Sequence, residues 1–164
     1  MSGRVGRLLH DLRRIVEGTA DFVHHLRRRD RVLIGLGQLS ADAPIAVPGR
    51  PNRYLVTIGS AARVPREVTL AIDIRALDAG ARVGGHAASF STRLRARPCA
   101  TTRVEVYYDW RATAGFLVDQ QPAVPDDLQR SGRDEPARHA VTAALLDADG
   151  QRVEQLTVYQ ELAP

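Results

Sequence analysis

The residues able to do chemistry are few, and their spacing brings little of it together. All 23 basic residues are arginine and none is lysine, which removes Schiff bases, lysine general bases and the phosphate-loop lysine. The lone cysteine, Cys99, follows Pro98 with no sequence neighbour to activate it, so it reads as an inert thiol and leaves no intramolecular disulfide. His10, His24 and His25 are the clustered imidazoles. The 14 residues from His10 to His24 span close to four helical turns, so the two share a side without binding one metal. They read as polar helix residues near a C-terminus, where a cation suits the dipole. Gly84-Gly85-His86, with Ser89 nearby, has the make-up of an oxyanion-type loop but reads as a glycine turn between strands. Asp147-Ala148-Asp149-Gly150 begins like a calcium loop, yet the third ligand position and the distal Glu are missing, which leaves a β-turn. Asp126, Asp127, Asp134 and Glu135 read as solvated loop acids, with weak cation binding as the alternative. No nucleophile elbow, zinc helix, paired Cys motif or glycine-rich phosphate loop occurs, so no catalytic residue, metal or cofactor is expected.

Binding chemistry is more visible. Arg93, Arg95 and Arg97 alternate, which on a strand puts them on one face as a basic stripe. Glu105 and Asp109 are expected to project likewise from the neighbouring strand, so the stripe reads either as cross-strand charge pairing or as an anionic-ligand surface. Tyr107, expected on that same face, would stack on a sugar or base.

The second surface lies in the N-terminal segment. Between Val5 and Leu26, Leu8, Leu9, Leu12, Ile15, Val16, Phe22, Val23 and Leu26 recur at gaps of three and four, one face of a helix, with Arg7, Asp11, Arg14 and Asp21 mostly opposite. Gly6 and Gly18 cost about 1 kcal/mol each relative to Ala, so the helix depends on packing. Its apolar face must cover its own domain, pair with another helix or lie on a membrane. Packing on its own domain comes first and self-association or docking to a partner protein through those eight residues next, since the near-heptad spacing is compatible with a helical seam. The first 33 residues hold eight Arg against four acids and the remainder 15 of each, so the whole net charge of +4 sits at the N-terminus. Because its acids are interspersed, nucleic acid is not expected there, and a membrane surface is not favoured.

The positioning elements follow from periodicity. A chain of 164 residues, 44% hydrophobic and 26% charged, suits one globular domain with an extension. No stretch reaches the roughly 18 apolar residues of a membrane span, and no signal-peptide core is visible, so a cytoplasmic protein is expected. Residues 1–30 are read as the amphipathic helix and 31–53 as a Pro/Gly-rich connector, in which Arg31–Leu39 is a strand or a hinge. Residues 54–164 carry a period of two. Strands are expected at Tyr54–Ile58, Val68–Ala76, Phe90–Ala96, Val104–Trp110, Val141–Leu146 and Arg152–Leu162, with a possible seventh at Phe116 and Val118. Asp147–Gly150 closes the last two as a hairpin, and Asp119–Pro136 is expected to be the largest loop.

The run Tyr54–Leu162 resembles a bacterial immunoglobulin-like or fibronectin-III-like β-sandwich module. The resemblance rests on Val68–Ala76, the aromatic strand Val104–Trp110 and the hairpin Leu145–Val158, and it departs from antibody-type domains in lacking a Cys pair around the Trp. It implies an antiparallel immunoglobulin-like sandwich, so that with the amphipathic α-helix read from the N-terminal spacing the expected chain is mainly β. The expected function is a non-enzymatic interaction or assembly module. The alternative is an accessory module that binds a carbohydrate or polyanion through Arg93, Arg95, Arg97, Tyr107 and the Asp119–Pro136 loop. A hydrolase whose groups meet only in three dimensions is the remaining class.

Overall fold

A computed structural model describes residues 33–43, 45–47, 50–77, 83–110, 113–131 and 136–162. The helix expected over residues 1–30 and its contact residues lie outside them. The described chain is mainly β, with strands β1 Ile34–Ala41, β2 Ile45–Ala46, β3 Asn52–Ser60, β4 Arg66–Leu77, β5 Val83–Ala96, β6 Ala100–Tyr108, β7 Ala114–Val118, β8 Gln121–Ala123, β9 Asp126–Arg130, β10 Arg138–Leu146 and β11 Arg152–Leu162. They form two sheets, ordered β1-β3-β6-β7-β8 and β2-β11-β10-β4-β5-β9. The pairings are antiparallel except that of β2 with β11. Among the described residues no helix is long and apolar enough to cross a membrane.

The period of two decides which face of each sheet is dry. Tyr54, Val56 and Ile58 of β3 and Val104, Val106 and Tyr108 of β6 turn inward from the five-stranded sheet. Val68, Leu70, Ile72 and Ile74 of β4, with Val141, Ala143 and Leu145 of β10, meet them from the six-stranded sheet in one shared core. Phe90 of β5 bridges the layers, stacking on Tyr108 at 5.8 Å and tilting against Phe116 at 5.3 Å.

Three expectations need correction. The range 31–53 is not simply a connector, because Ile34–Ala41 pairs along β3 as an edge strand. Its register shifts between Leu36 and Gln38, so Gly37 marks a bulge rather than a hinge. The presumed loop Asp119–Pro136 contains β8 and β9. Pro122 is compatible with β8 because that strand lies at a sheet edge, where one row of amides needs no partner. Gly84-Gly85-His86 lies inside β5, not in a turn. The Asp147–Gly150 hairpin forms as expected. Gly150 has φ +75°, and the Asp147 Oδ1 accepts the Asp149 and Gln151 amides at 3.1 and 2.8 Å.

Parts of the free edges carry features that discourage further strands. Glu154 of β11 reaches across to accept the Leu36 amide of β1 at 2.7 Å. β8 carries Pro122, β9 opens with the exposed Asp126 and Asp127, and β2 is only two residues long. Each device discourages edge-to-edge pairing.

The Gly150 φ generates a prediction. Gly150→Ala forces a Cβ into the left-handed region, and the midpoint of urea unfolding should fall by the equivalent of about 1–2 kcal/mol. An unchanged midpoint would show that the hairpin does not hold that conformation.

Candidate functional site

The most enclosed polar constellation joins three strands at one end of the two layers. Tyr54 on β3, His139 at the start of β10 and Gln160 near the end of β11 are all buried. The Gln160 Nε2 donates to the Ala43 carbonyl at 2.9 Å, which orients the amide and presents its Oε1 inward. Tyr54 donates its hydroxyl to that oxygen at 2.8 Å, and His139 Nε2 lies 3.1 Å from it and 3.2 Å from the Tyr54 oxygen. Because Oε1 only accepts, its contact with His139 is a hydrogen bond when Nε2 carries the proton, while Tyr54 donates to Oε1 in either tautomer. Among the described residues Nδ1 meets no acceptor at full hydrogen-bond geometry, and the Pro136 carbonyl influences the ring electrostatically. Burial pushes the His139 pKa below the ordinary 6.5, while Gln160 and the Pro136 carbonyl offset part of that shift. The group ties β3, β10, β11 and the Ala43 segment together.

The expected ligand-binding residues do not converge. β5 pairs with β4 and β9, whereas β6 belongs to the other sheet, so Glu105 is not the partner of the arginine stripe. Arg95 instead meets Glu67 of β4 at 3.6 Å. Arg93 is exposed opposite Thr69. Arg97, past the end of β5, reaches the Asp119 carboxylate at 3.3 Å and the Thr101 carbonyl at 3.0 Å. Glu105 pairs with Arg103 of its own strand at 3.4 Å. Tyr107 lies on the outer face of the five-stranded sheet, across the core from Arg93 and Arg95, so one ligand cannot use both. Its ring covers Gly115 of β7 so closely that a Cβ there would meet Cε1 at 2.8 Å.

Beside Tyr107 lies a shallow depression of about 270 Å³, lined by Pro51, Arg53, Glu105, Val106 and Leu117. An aromatic face with a guanidinium and a carboxylate at its margin can stack on a flat apolar ligand face and hydrogen-bond its rim. On the opposite sheet, His86 Nε2 lies 3.8 Å from Asp73 and Nδ1 lies 3.2 Å from Ser131 Oγ. The Ser131 hydroxyl donates to the His86 carbonyl, and Asp73 holds Arg75 at 2.7 Å, raising the pKa of that guanidinium. Ser131 and Asp73 are thus committed elsewhere, and the trio does not present an activated nucleophile.

Sequence reasoning missed His139, Gln160, Asn52 and Arg130. The signal for His139 was present: His139, Val141, Ala143 and Leu145 share one register, so a histidine sits where the pattern demands an apolar residue.

The sign of the His139 effect fixes its pH dependence. Above pH 6.5 both folded and unfolded forms are neutral and stability is complete; as pH falls below 6.5 the unfolded histidine takes up a proton that the folded one resists. The melting temperature should therefore drop between pH 7.5 and pH 5, and His139→Gln should flatten that drop. Equal slopes for the two proteins would remove His139 as its source.

No family model matches this chain, and no curated protein matches its sequence. Among solved structures it is similar to the alkylpurine DNA glycosylase AlkC of Pseudomonas fluorescens bound to DNA with an abasic-site analogue, at 14% identity and a TM-score of 0.53. That likeness covers 80% of this chain and 31% of the glycosylase. It is also similar to a β-glucosidase of Listeria innocua in complex with glucose, at 15% identity and a TM-score of 0.50, over 80% of this chain and 16% of the enzyme. The chain thus spans less than a third of either protein, and the likeness is one of fold.

Proposed function

We propose that the protein is a non-enzymatic interaction or assembly module, in which an immunoglobulin-like β-sandwich is the structural body and the N-terminal amphipathic helix docks to a second copy or a partner protein. The observation that carries this reading is the apolar stripe from Leu8 to Leu26, at helical spacing, in the segment that also holds the entire net charge. The body supports it from the other side. Glu154, Pro122 and the Asp126–Asp127 pair guard parts of its sheet edges, which disfavours strand addition there as a route to association. Both similar structures also use this fold as a minor part of a longer chain, as expected of a module. A second reading, an accessory ligand-binding module, draws on the depression at Tyr107, with Arg53 and Glu105 replacing the Arg93–Arg97 stripe.

The two readings separate by experiment. Light scattering on the full chain should give a mass above the monomer's or a recovered complex, and Leu12→Asp with Val16→Asp should return it to a monomer with unchanged β circular dichroism. A monomeric wild type at high concentration, with no partner recovered, defeats the assembly reading. For the second reading, a sugar that binds on a glycan array should lose about tenfold in affinity with Tyr107→Ala, the scale of one stacking contact. Arg93→Ala should leave that affinity unchanged. A blank array, or equal loss in both variants, removes the Tyr107 site.

A further inference from the structure

The layer of side chains next to the Tyr54–His139–Gln160 group contains hydrogen-bond donors that meet no acceptor among the described residues. Tyr108, the last residue of β6, is its centre. Trp110 packs edge-on against Tyr108 at 4.9 Å, Asn52 faces Tyr108 in the β3–β6 register, and the Arg130 guanidinium lies over the Tyr108 ring at 5.3 Å. Arg130 ends the edge strand β9 opposite Ala88, whose small side chain gives the guanidinium room to reach the other sheet. Its Nη1 donates to the Trp110 carbonyl at 3.3 Å. The remaining nitrogens, Nε and Nη2, are buried without a partner, as are Trp110 Nε1 and Asn52 Nδ2. Trp110 is 9% exposed and Asn52 4%.

These atoms are all donors, so they cannot satisfy one another. Nε and Nη2 form the side-on fork of a guanidinium, whose two parallel N–H groups match the two oxygens of a carboxylate. Among the described residues the Arg130 guanidinium meets no carboxylate; a buried cation without a counter-charge is costly, and each unmet donor adds its own desolvation penalty. An acceptor-only anion relieves both costs at once. Arg130 as a whole is half-buried on the edge strand β9, while Nε and Nη2 are its buried atoms. We infer that this end of the protein is a carboxylate-binding site: Arg130 clamps the anion side-on, and Trp110 Nε1 and Asn52 Nδ2 supply flanking hydrogen bonds. The site is independent of the N-terminal stripe and of the Tyr107 depression. The carboxylate comes from a small organic acid or from the end of a peptide chain, and its chemistry at the fork is the same.

The chain has a single tryptophan, so one indole N–H resonance reports on the site. Wild-type protein is titrated with sodium acetate, with sodium chloride at equal ionic strength, and with a short peptide carrying either a free C-terminal carboxylate or an amide. The indole resonance should shift and saturate with acetate or the free-carboxylate peptide, and not with chloride or the amide. Saturation by acetate alone identifies a small acid, and saturation by the peptide identifies a chain terminus. Arg130→Lys, which keeps the charge and loses the fork, should weaken the response about tenfold, as expected for one lost charge-assisted hydrogen bond. An indole resonance that ignores both carboxylates, or moves equally with chloride, overturns the inference. So does an undiminished response in folded Arg130→Lys, and the wild-type titrations decide the question even if that variant fails to fold.

Discussion

Water is excluded from the space between the two sheets, and the rest of the structure answers to that exclusion. It selects the alternation of β3, β4, β6 and β10, because each inward position must be apolar or carry its own partners. Tyr54 enters the dry layer with a hydroxyl that Gln160 satisfies, and the second function of Gln160 is to hold the Ala43 carbonyl. The result is directional, unlike the apolar packing around it. Leucine or valine in those places would bury comparable area without fixing how β11 and the preceding segment sit against β3.

The same exclusion shapes the periphery. A sheet buried on one face still exposes rows of amides at its lateral edges, and this chain guards parts of them by four different means. Glu154 provides the most specific, since it belongs to one sheet and satisfies an amide of the other. Its contact sits beside the bulge at Gly37, where the register of β1 shifts, on an edge strand whose alternate amides point away from β3.

The strands that bury one clean face were legible in the sequence. Val68–Ala76 and Val104–Tyr108 alternate, Val141–Leu146 is a short apolar run bounded by a turn, and the left-handed Gly150 followed from the turn chemistry of Asp-Ala-Asp-Gly. The edge elements were not legible, because edge strands need fewer apolar residues and tolerate proline, so β8 and β9 look like loop. The charged stripe failed for a topological reason. Alternation correctly made Arg93 and Arg95 outward-facing, but it cannot say that β5 and β6, adjacent in sequence, belong to different sheets. Arg95 therefore found Glu67, and Tyr107 ended on the opposite face. Arg130, His139 and Gln160 share a further difficulty: single polar residues within strands read as outward-facing unless the register is fixed from elsewhere.

Two settings of arginine in the body contrast once that register is known. Arg75, Arg95, Arg97, Arg103 and Arg138 lie on outer surfaces within 2.7–3.6 Å of Asp73, Glu67, Asp119, Glu105 and Glu161. Exposed pairs of this sort contribute about 0–1 kcal/mol each, so they matter more for neutralising the faces than for holding the fold. They explain how a chain of pI about 10.0 presents an electrically balanced body. Arg130 has the other setting, because its guanidinium turns inward onto an aromatic ring and its fork is buried. Stacking on Tyr108 returns part of the lost hydration through the ring's negative face, but a π-face cannot accept the in-plane N–H groups. Those require oxygen, and the geometry of the fork restricts which oxygens qualify.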